Sequence, residues 1–235
     1  MEALFLLANG LLDARQTRQT RQAMGLFASY QVLLAHFEQT DHLARQRLVT
    51  RAHITNCQDA LGQVAEVLEE RRAIYREIQT LPSRVIKPSD IFEAAKQLGD
   101  ALVSNSRFKE ARVFLKPHVD RARRELGPRH YTTIHLTWWY GESIVQDDAI
   151  NGDDDDAASF DSDLDRELDE LPGLLRSTLT HVEQIWGAES SEVRRGAGIR
   201  RLETAAFRRS ASRPRVDARP IFGASRPRLS RRPAS

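Results

Sequence analysis

An acidic stretch at residues 147–156 is the part of the sequence whose residue types are best suited to binding a metal ion. An EF-hand calcium loop beginning at Asp147 would need side-chain oxygens at its third and twelfth positions, which hold Ala149 and Ala158. Because alanine has no side-chain oxygen, two required ligands are missing. We therefore expect a solvated acidic loop that attracts basic partners or divalent ions only loosely, and no specific calcium site.

The seven histidines and the single cysteine form no motif that would support catalysis or zinc binding. No histidine pair has the His-Glu-x-x-His spacing, and none is spaced with cysteine as in a zinc site. No motif around Cys57 supplies a base or an orienting group. Nucleophile elbows, phosphate-binding loops and dinucleotide fingerprints do not occur either. The sequence therefore predicts a protein that is not an enzyme and uses no cofactor or metal, with Cys57 as a half-buried small residue.

Three consecutive aromatic residues, Trp138, Trp139 and Tyr140, could anchor a partner. Neighbouring residues of a helix point about 100° apart, so the three rings cannot all face the same way. One side of the helix is then core, and another could line a surface and contribute to binding, as tryptophan and tyrosine often do. Both interpretations stay open at this point.

Helices must position these residues, because the chain up to about residue 193 is rich in helix formers and shows no sustained strand-like alternation. Apolar residues recur there every three to four positions, which is typical of amphipathic helices. We predict, among others, a helix over 25–43 and another over 171–186, with Pro172 in its first turn. Pro117 falls inside an apparent helix and predicts a kink or a helix start.

The clearest structural unit is a pair of helices after residue 88. Helix A is predicted over Asp90 to Ser104 and helix B over Phe108 to Leu126, and Gly127-Pro128 stops the second helix. The segment Leu98-Gly99-Asp100-Ala101-Leu102 recurs 42 residues later as Tyr140-Gly141-Glu142-Ser143-Ile144. A glycine at the same place in both segments would let one helix approach the next closely.

Helix B recurs as well, which indicates a repeat protein. The residues Val64 to Val67 resemble Phe108 to Ala111, which lie 44 positions later in the chain. Trp186-Gly187 corresponds to Leu126-Gly127, but at a spacing of 60, so about 18 residues are extra. We assign the excess to an acidic insertion at about 147–163. The pattern predicts three to four degenerate helix pairs with a period of about 42–44 residues.

The repeat resembles the tetratricopeptide repeat of the kinesin light chain type, whose period is 42 residues. Arg107-Phe108-Lys109-Glu110-Ala111 and Leu126-Gly127-Pro128-Arg129-His130-Tyr131-Thr132-Thr133 carry the resemblance, with Tyr131 in place of the usual proline. The resemblance implies an all-α fold, a right-handed α-solenoid of stacked helix-turn-helix repeats. It also implies a concave groove, lined by the A helices, that holds peptide segments or a helix of another protein. On that face we expect partner contacts from five residues: Gln97, Asp100, Trp139, Glu142 and Gln146.

Charge divides the chain into two parts. Residues 194–235 contain thirteen arginines, no lysine and two acids, a net charge of +11, whereas residues 1–193 carry −9. We predict a repeat domain over 1–193 and a disordered Arg/Pro/Ser/Ala-rich tail over 194–235. Three interpretations of the tail stay open. It could bind nucleic acid or acidic surfaces, it could be a targeting or phosphorylation segment, or it could have no function.

Together these features predict a non-catalytic scaffold or adaptor that binds other proteins or peptides through the concave face. The alternative is a nucleic-acid-associated or targeting protein whose basic tail supplies the affinity. No apolar run is long enough to span a membrane. The apolar start of the chain carries Glu2 and lacks a basic region, so we interpret it as an amphipathic helix and expect a cytoplasmic protein.

Overall fold

A computed structural model describes residues 2–13, 17–37, 40–151, 162–186, 202 and 204. Within these ranges the elements are eight α-helices, and no described residue lies in a strand. The all-α prediction is confirmed. The helices are α1 (Glu2–Asp13), α2 (Thr17–Ala35), α3 (Asp41–Ala60), α4 (Val64–Ile78), α5 (Pro88–Ser104), α6 (Phe108–Glu125), α7 (Tyr131–Asn151) and α8 (Ser162–Trp186).

The helices stack in chain order, as a repeat array requires. Each helix contacts the next along the chain, and α5 also contacts α7, two helices further along the chain. The odd-numbered helices α1, α3, α5 and α7 are therefore the A helices of four successive pairs, and α2, α4, α6 and α8 are the B helices. None of the described helices is both long and apolar enough to cross a membrane.

The unit that the sequence marks most clearly is also the one whose bounds agree best. Helix α5 begins at Pro88, where the missing N–H costs nothing, and the backbone N–H of Lys87 donates to the Asp90 carboxylate at 3.1 Å. Helix α6 ends just before Gly127, whose φ of +88° favours glycine. Local capping chemistry therefore sets both ends of this pair.

The predicted helix over 25–43 is wrong. Helix α2 ends at Ala35, and a new helix, α3, begins at Asp41. The hydroxyl of Thr40 accepts a hydrogen bond from the Leu43 N–H at 3.3 Å and caps the new helix. Asp41 in the first turn adds a favourable interaction with the helix dipole.

Both interior prolines lie within continuous helices, so the helix start predicted at Pro172 is wrong. At Pro117 the helix-start alternative is wrong, and the kink stays a prediction. Pro117 lies in the middle of α6, and Pro172 lies ten residues after the first residue of α8. Each proline removes one backbone hydrogen bond. The buried residues on either side of them, Leu115 and Val119 in α6 and Leu171 and Leu175 in α8, supply the packing that keeps the helices intact.

The acidic insertion begins later than the sequence predicts. Residues 147–151 belong to α7, and Asp147 and Asp148 are buried, each only 3% exposed. The expectation of a solvated loop is therefore wrong for these two aspartates. Residues 152–161, which contain the rest of the acidic run, lie outside the described part of the chain.

Two glycines allow the close helix packing that the sequence predicts. A methyl group at Gly99 would lie 3.0 Å from Cγ of Leu115 in α6 and closer still to its Cδ2. At Gly141 it would lie 3.1 Å from Leu175 and 3.3 Å from Leu171, both in α8. Leu115 and Leu175 are 60 residues apart, which is the spacing that the sequence indicates between these two B helices.

The main core runs through α4 to α8, and two smaller clusters lie under α1–α3 and under α3–α5. The main core also includes Leu202, which is helical and only 6% exposed. This residue follows the predicted domain end at 193, so the packed core continues beyond that boundary at Leu202. Apart from Leu202 and Thr204, the predicted disordered tail lies outside the described residues.

Candidate protein-binding face

The five predicted contact residues occupy equivalent stripes on two adjacent A helices. Gln97 and Asp100 lie on α5, and Trp139, Glu142 and Gln146 lie on α7, at the three-to-four spacing of one helix face. All five are half-buried, so each has part of its side chain in solvent. Because α5 and α7 contact each other, the two stripes are neighbours.

The same stripe continues onto α3, which the sequence interpretation missed. Asn56 and Asp59 precede Gln97 and Asp100 by 41 residues, and Trp139 and Glu142 follow these by 42. The sequence contains this spacing, but the first two repeats are too degenerate for the residues of α3 to be recognised as part of the face. We call the half-buried residues of the three helices the A-helix face: Asn56, Asp59, Gln97, Asp100, Trp139, Glu142 and Gln146.

A buried arginine connects the first two helices of this face. Arg71 of α4 is 4% exposed, and its guanidinium donates to the Asp59 carboxylate at 2.9 Å and to the backbone carbonyl of Gln97 at 2.9 Å. Longer contacts reach Asp100 at 3.4 Å and the Asn56 side chain at 3.5 Å. Arg71, on the B helix α4, therefore holds α3 and α5 together.

Asp59 and Asp100 share this one guanidinium. Burial raises the pKa of Asp100 above its ordinary value; Arg71 opposes the rise, and the Asp59 carboxylate adds to it. Both carboxylates stay about one-third exposed, at 34% for Asp59 and 30% for Asp100. Between α3 and α5, which we call the first step of the A-helix face, two acids therefore share one buried cation.

At the second step, between α5 and α7, the described residues include no such arginine. Arg71 is the eighth residue of α4, and the eighth residue of α6 is Leu115, which packs against Gly99. Glu142 accepts a hydrogen bond from the Gln146 amide at 2.9 Å. Among the residues that the structure describes, no Lys, Arg or His nitrogen lies within 4.0 Å of the Glu142 carboxylate.

The aromatic cluster divides between core and surface. Tyr140 is 5% exposed and belongs to the core, and its hydroxyl accepts a hydrogen bond from Lys116 at 3.3 Å. Trp138 and Trp139 are half-buried, pack against the core and stack on each other with ring centroids 5.4 Å apart. The expectation that one side of α7 is core is confirmed, and Trp139 lies at the solvent boundary of the A-helix face.

A second charged cluster lies between α6, α7 and α8, and sequence reasoning did not find it. Arg112 is paired with Asp147 and with Glu167, each at 3.1 Å, and Lys116 reaches Glu167 at 2.9 Å. Burial and the neighbouring Glu167 raise the pKa of Tyr140 above its ordinary value. The paired charges hold α8 against α6 and α7, which is a structural role.

The seven histidines, Cys57 and the first two acids of the run at 147–156 lie in the described part of the chain. Within the ranges given above, no three His, Cys, Asp or Glu side chains converge as metal ligands would. Cys57 is fully buried, not half-buried as the sequence predicts, because it packs among Ala8, Ala23 and Phe27. Burial raises the pKa of its thiol to about 11, which keeps it protonated at neutral pH.

No protein-family model matches the chain, and no curated protein matches it. Solved structures do. One is the crystal structure of a Podosopora anserina protein assigned as a kinesin light chain with nearly identical TPR-like repeats. Its TM-score is 0.60 at 17% sequence identity, over 89% of this chain and 88% of that chain. A single-substitution variant of that protein gives a TM-score of 0.61 with the same identity and coverage. At this identity the likeness concerns the fold alone. The chain therefore has the TPR-like helical-repeat fold of a kinesin light chain repeat array, as the residues at 107–111 and 126–133 predicted.

Proposed function

We propose that this protein is a non-catalytic interaction scaffold that binds a segment of another protein on its A-helix face. TPR-like repeat arrays generally mediate protein–protein interactions, and the fold is of that kind. The observation that carries the proposal is the row of half-buried polar and aromatic side chains that recurs at the same register on α3, α5 and α7.

The half-buried side chains of the A-helix face are suited to binding a partner. A side chain that is already partly packed loses little rotamer freedom when a partner arrives, and its exposed part is still available for contact. Trp139 supplies apolar area, and Glu142 and Gln146 supply hydrogen-bonding groups one and two turns further along α7. The partner would therefore lie across the A helices, with α7 providing the largest anchor.

Selection of random peptides on the immobilised full chain tests the proposal. Peptides that bind should lose most of their affinity for the Gln146→Ala variant and keep it for Gln22→Ala, since Gln22 is exposed on the B helix α2. Circular dichroism and thermal unfolding confirm that both variants stay folded. Selected peptides that bind both variants and the parent chain equally would place binding elsewhere and refute the proposal.

The nucleic-acid alternative depends on residues 194–235, of which only Leu202 and Thr204 are described. It stays a prediction of the sequence, as does the cytoplasmic location.

A further inference from the structure

We propose that the A-helix face selects a partner segment by an arginine side chain, which binds between α5 and α7 at Glu142 and Asp100. This inference rests on the proposed function, since it assigns a partner chemistry to the same face. The feature that carries it is the carboxylate row, by which we mean Asp59, Asp100 and Glu142.

The carboxylate row has more negative charge than the described residues of the chain neutralise. Its three acids occur at one register on three successive A helices. Among the described residues, Arg71 is the one cation within 4.0 Å of them, and Lys96 acts on Asp100 from further away. The other acid on this side of α5, Glu93, is already paired with Lys96 at 2.6 Å. A partner that complements the row must therefore bring positive charge.

The chain itself shows how a guanidinium fits the row. At the step between α3 and α5, Arg71 donates to a carboxylate on one A helix and to a backbone carbonyl on the next. At the step between α5 and α7, Leu115 takes the position of this arginine in the B helix, so α6 supplies no guanidinium at that position. Asp100 shares Arg71 with Asp59. Glu142 and Asp100 can then together receive a second guanidinium from the solvent side.

Arginine suits this step better than lysine. Its planar fork can donate to two acceptors at once, whereas the lysine ammonium acts as a point charge. Trp139 lies three residues before Glu142 on the same helix, so the two side chains are neighbours on one helix face. Guanidinium groups stack on tryptophan rings, which adds a contact that a lysine makes less well. Lys96 already lies 5.0 Å from the centre of the Tyr131 ring, which shows that α7 accepts a cation–aromatic contact from α5.

Peptide selection on the full chain, with a library that contains arginine, lysine, glutamate and neutral residues in equal amounts, tests the inference. Peptides selected by the parent chain should be enriched in arginine over lysine. The same selection on Glu142→Gln should lose the enrichment, because the variant keeps the shape of the side chain and removes its charge. The matched control is Glu66→Gln, which removes one charge from an exposed site on α4 and should keep the enrichment.

A selected peptide is then synthesised with its arginine replaced by citrulline, the neutral isostere. The affinity for the parent chain, measured by fluorescence anisotropy, should fall about tenfold or more. The same replacement should cost clearly less affinity for Glu142→Gln than for the parent chain, since the arginine can then lose only its contact with Asp100. A salt series should show that the arginine-dependent part of binding weakens as ionic strength rises.

Two results separate this inference from the proposed function. Peptides that carry no arginine preference, but still depend on Gln146, would overturn the arginine assignment and leave the binding face in place. Equal arginine enrichment on Glu142→Gln and on Glu66→Gln would likewise overturn it, because attraction would then be unspecific. If no selected peptide depends on Gln146, both proposals fail together.

Discussion

Replacing glycine by alanine should destabilise the protein at Gly99 and stabilise it at Gly25, because the two helical glycines have different surroundings. Gly99 faces Leu115 so closely that an added methyl group would lie 3.0 Å from its Cγ, whereas Gly25 in α2 has nothing within 4 Å of the corresponding position. Replacing glycine by alanine in a helix gains about 1 kcal/mol from backbone propensity. Overpacking a filled core costs about 1–3 kcal/mol.

Gly99→Ala should therefore lower the free energy of unfolding by up to about 2 kcal/mol, because the cost of the clash exceeds the gain in propensity. Leu115 is fully buried, so its side chain has no empty space into which to move. Gly25→Ala should raise the free energy of unfolding by about 0.5–1 kcal/mol, because only the propensity gain applies. Both changes are measured by urea unfolding followed by circular dichroism at 222 nm (a helix signal, about the same in all variants).

The double variant Gly99→Ala/Leu115→Ala tests the mechanism. Truncating Leu115 alone should cost about 2–5 kcal/mol, as for other fully buried leucines. The methyl group at residue 99 should then fill part of the space, so the double variant should be less destabilised than the sum of the two single variants. The reasoning is refuted if Gly99→Ala is at least as stable as the parent, or if the two single changes add without coupling.

Three further changes follow from the buried groups. Arg112→Met should lower the free energy of unfolding by about 3–5 kcal/mol in denaturant titrations, because it removes the buried cation that Asp147 and Glu167 share, although Glu167 keeps its contact with Lys116; a loss below about 1 kcal/mol would show that the pairs are not a structural requirement. For Cys57, the pKa of the thiol rises from 9.0 in the unfolded chain to about 11 in the fold, so above pH 9 the unfolded state binds fewer protons. Stability should fall by about 2–3 kcal/mol between pH 9 and 11, and Cys57→Ala should lack this part of the loss, which a matched pH series on both proteins would show. Leu202→Ala should cost about 2–4 kcal/mol, because the side chain is buried in the main core; a thermal midpoint unchanged from that of the parent chain would contradict this packing.

Local signals in the sequence predicted the helix pair α5–α6 almost residue by residue. Pro88 and Gly127 mark its two ends for reasons that depend only on backbone geometry. The recurrence of Gly99 at Gly141 predicted close packing, and the structure confirms it with a buried leucine against each glycine. Each of these features depends on a residue and its near neighbours, so the sequence alone contains them.

Other local signals pointed the wrong way. Pro172 looks like a helix start, but α8 begins ten residues earlier and continues through it, since its buried leucines outweigh one lost hydrogen bond. Asp147 and Asp148 look like the start of a solvated loop. Their burial in α7 depends in part on Arg112, which lies on another helix 35 residues before Asp147. No local pattern identifies such a partner.

The candidate face shows the same division. The sequence supplied Gln97, Asp100, Trp139, Glu142 and Gln146 as one face of a repeat, because helical periodicity and the 42-residue spacing are written in the order of residues. The tertiary structure extended the face to α3. It also showed that Arg71 pairs with the carboxylates at one step of the carboxylate row, whereas Leu115 occupies the corresponding position of α6 at the next step. The fold class and the repeat register follow from local periodicity and capping. The distribution of charge over the face does not, because it depends on which side chains from other helices reach each carboxylate once the helices have packed.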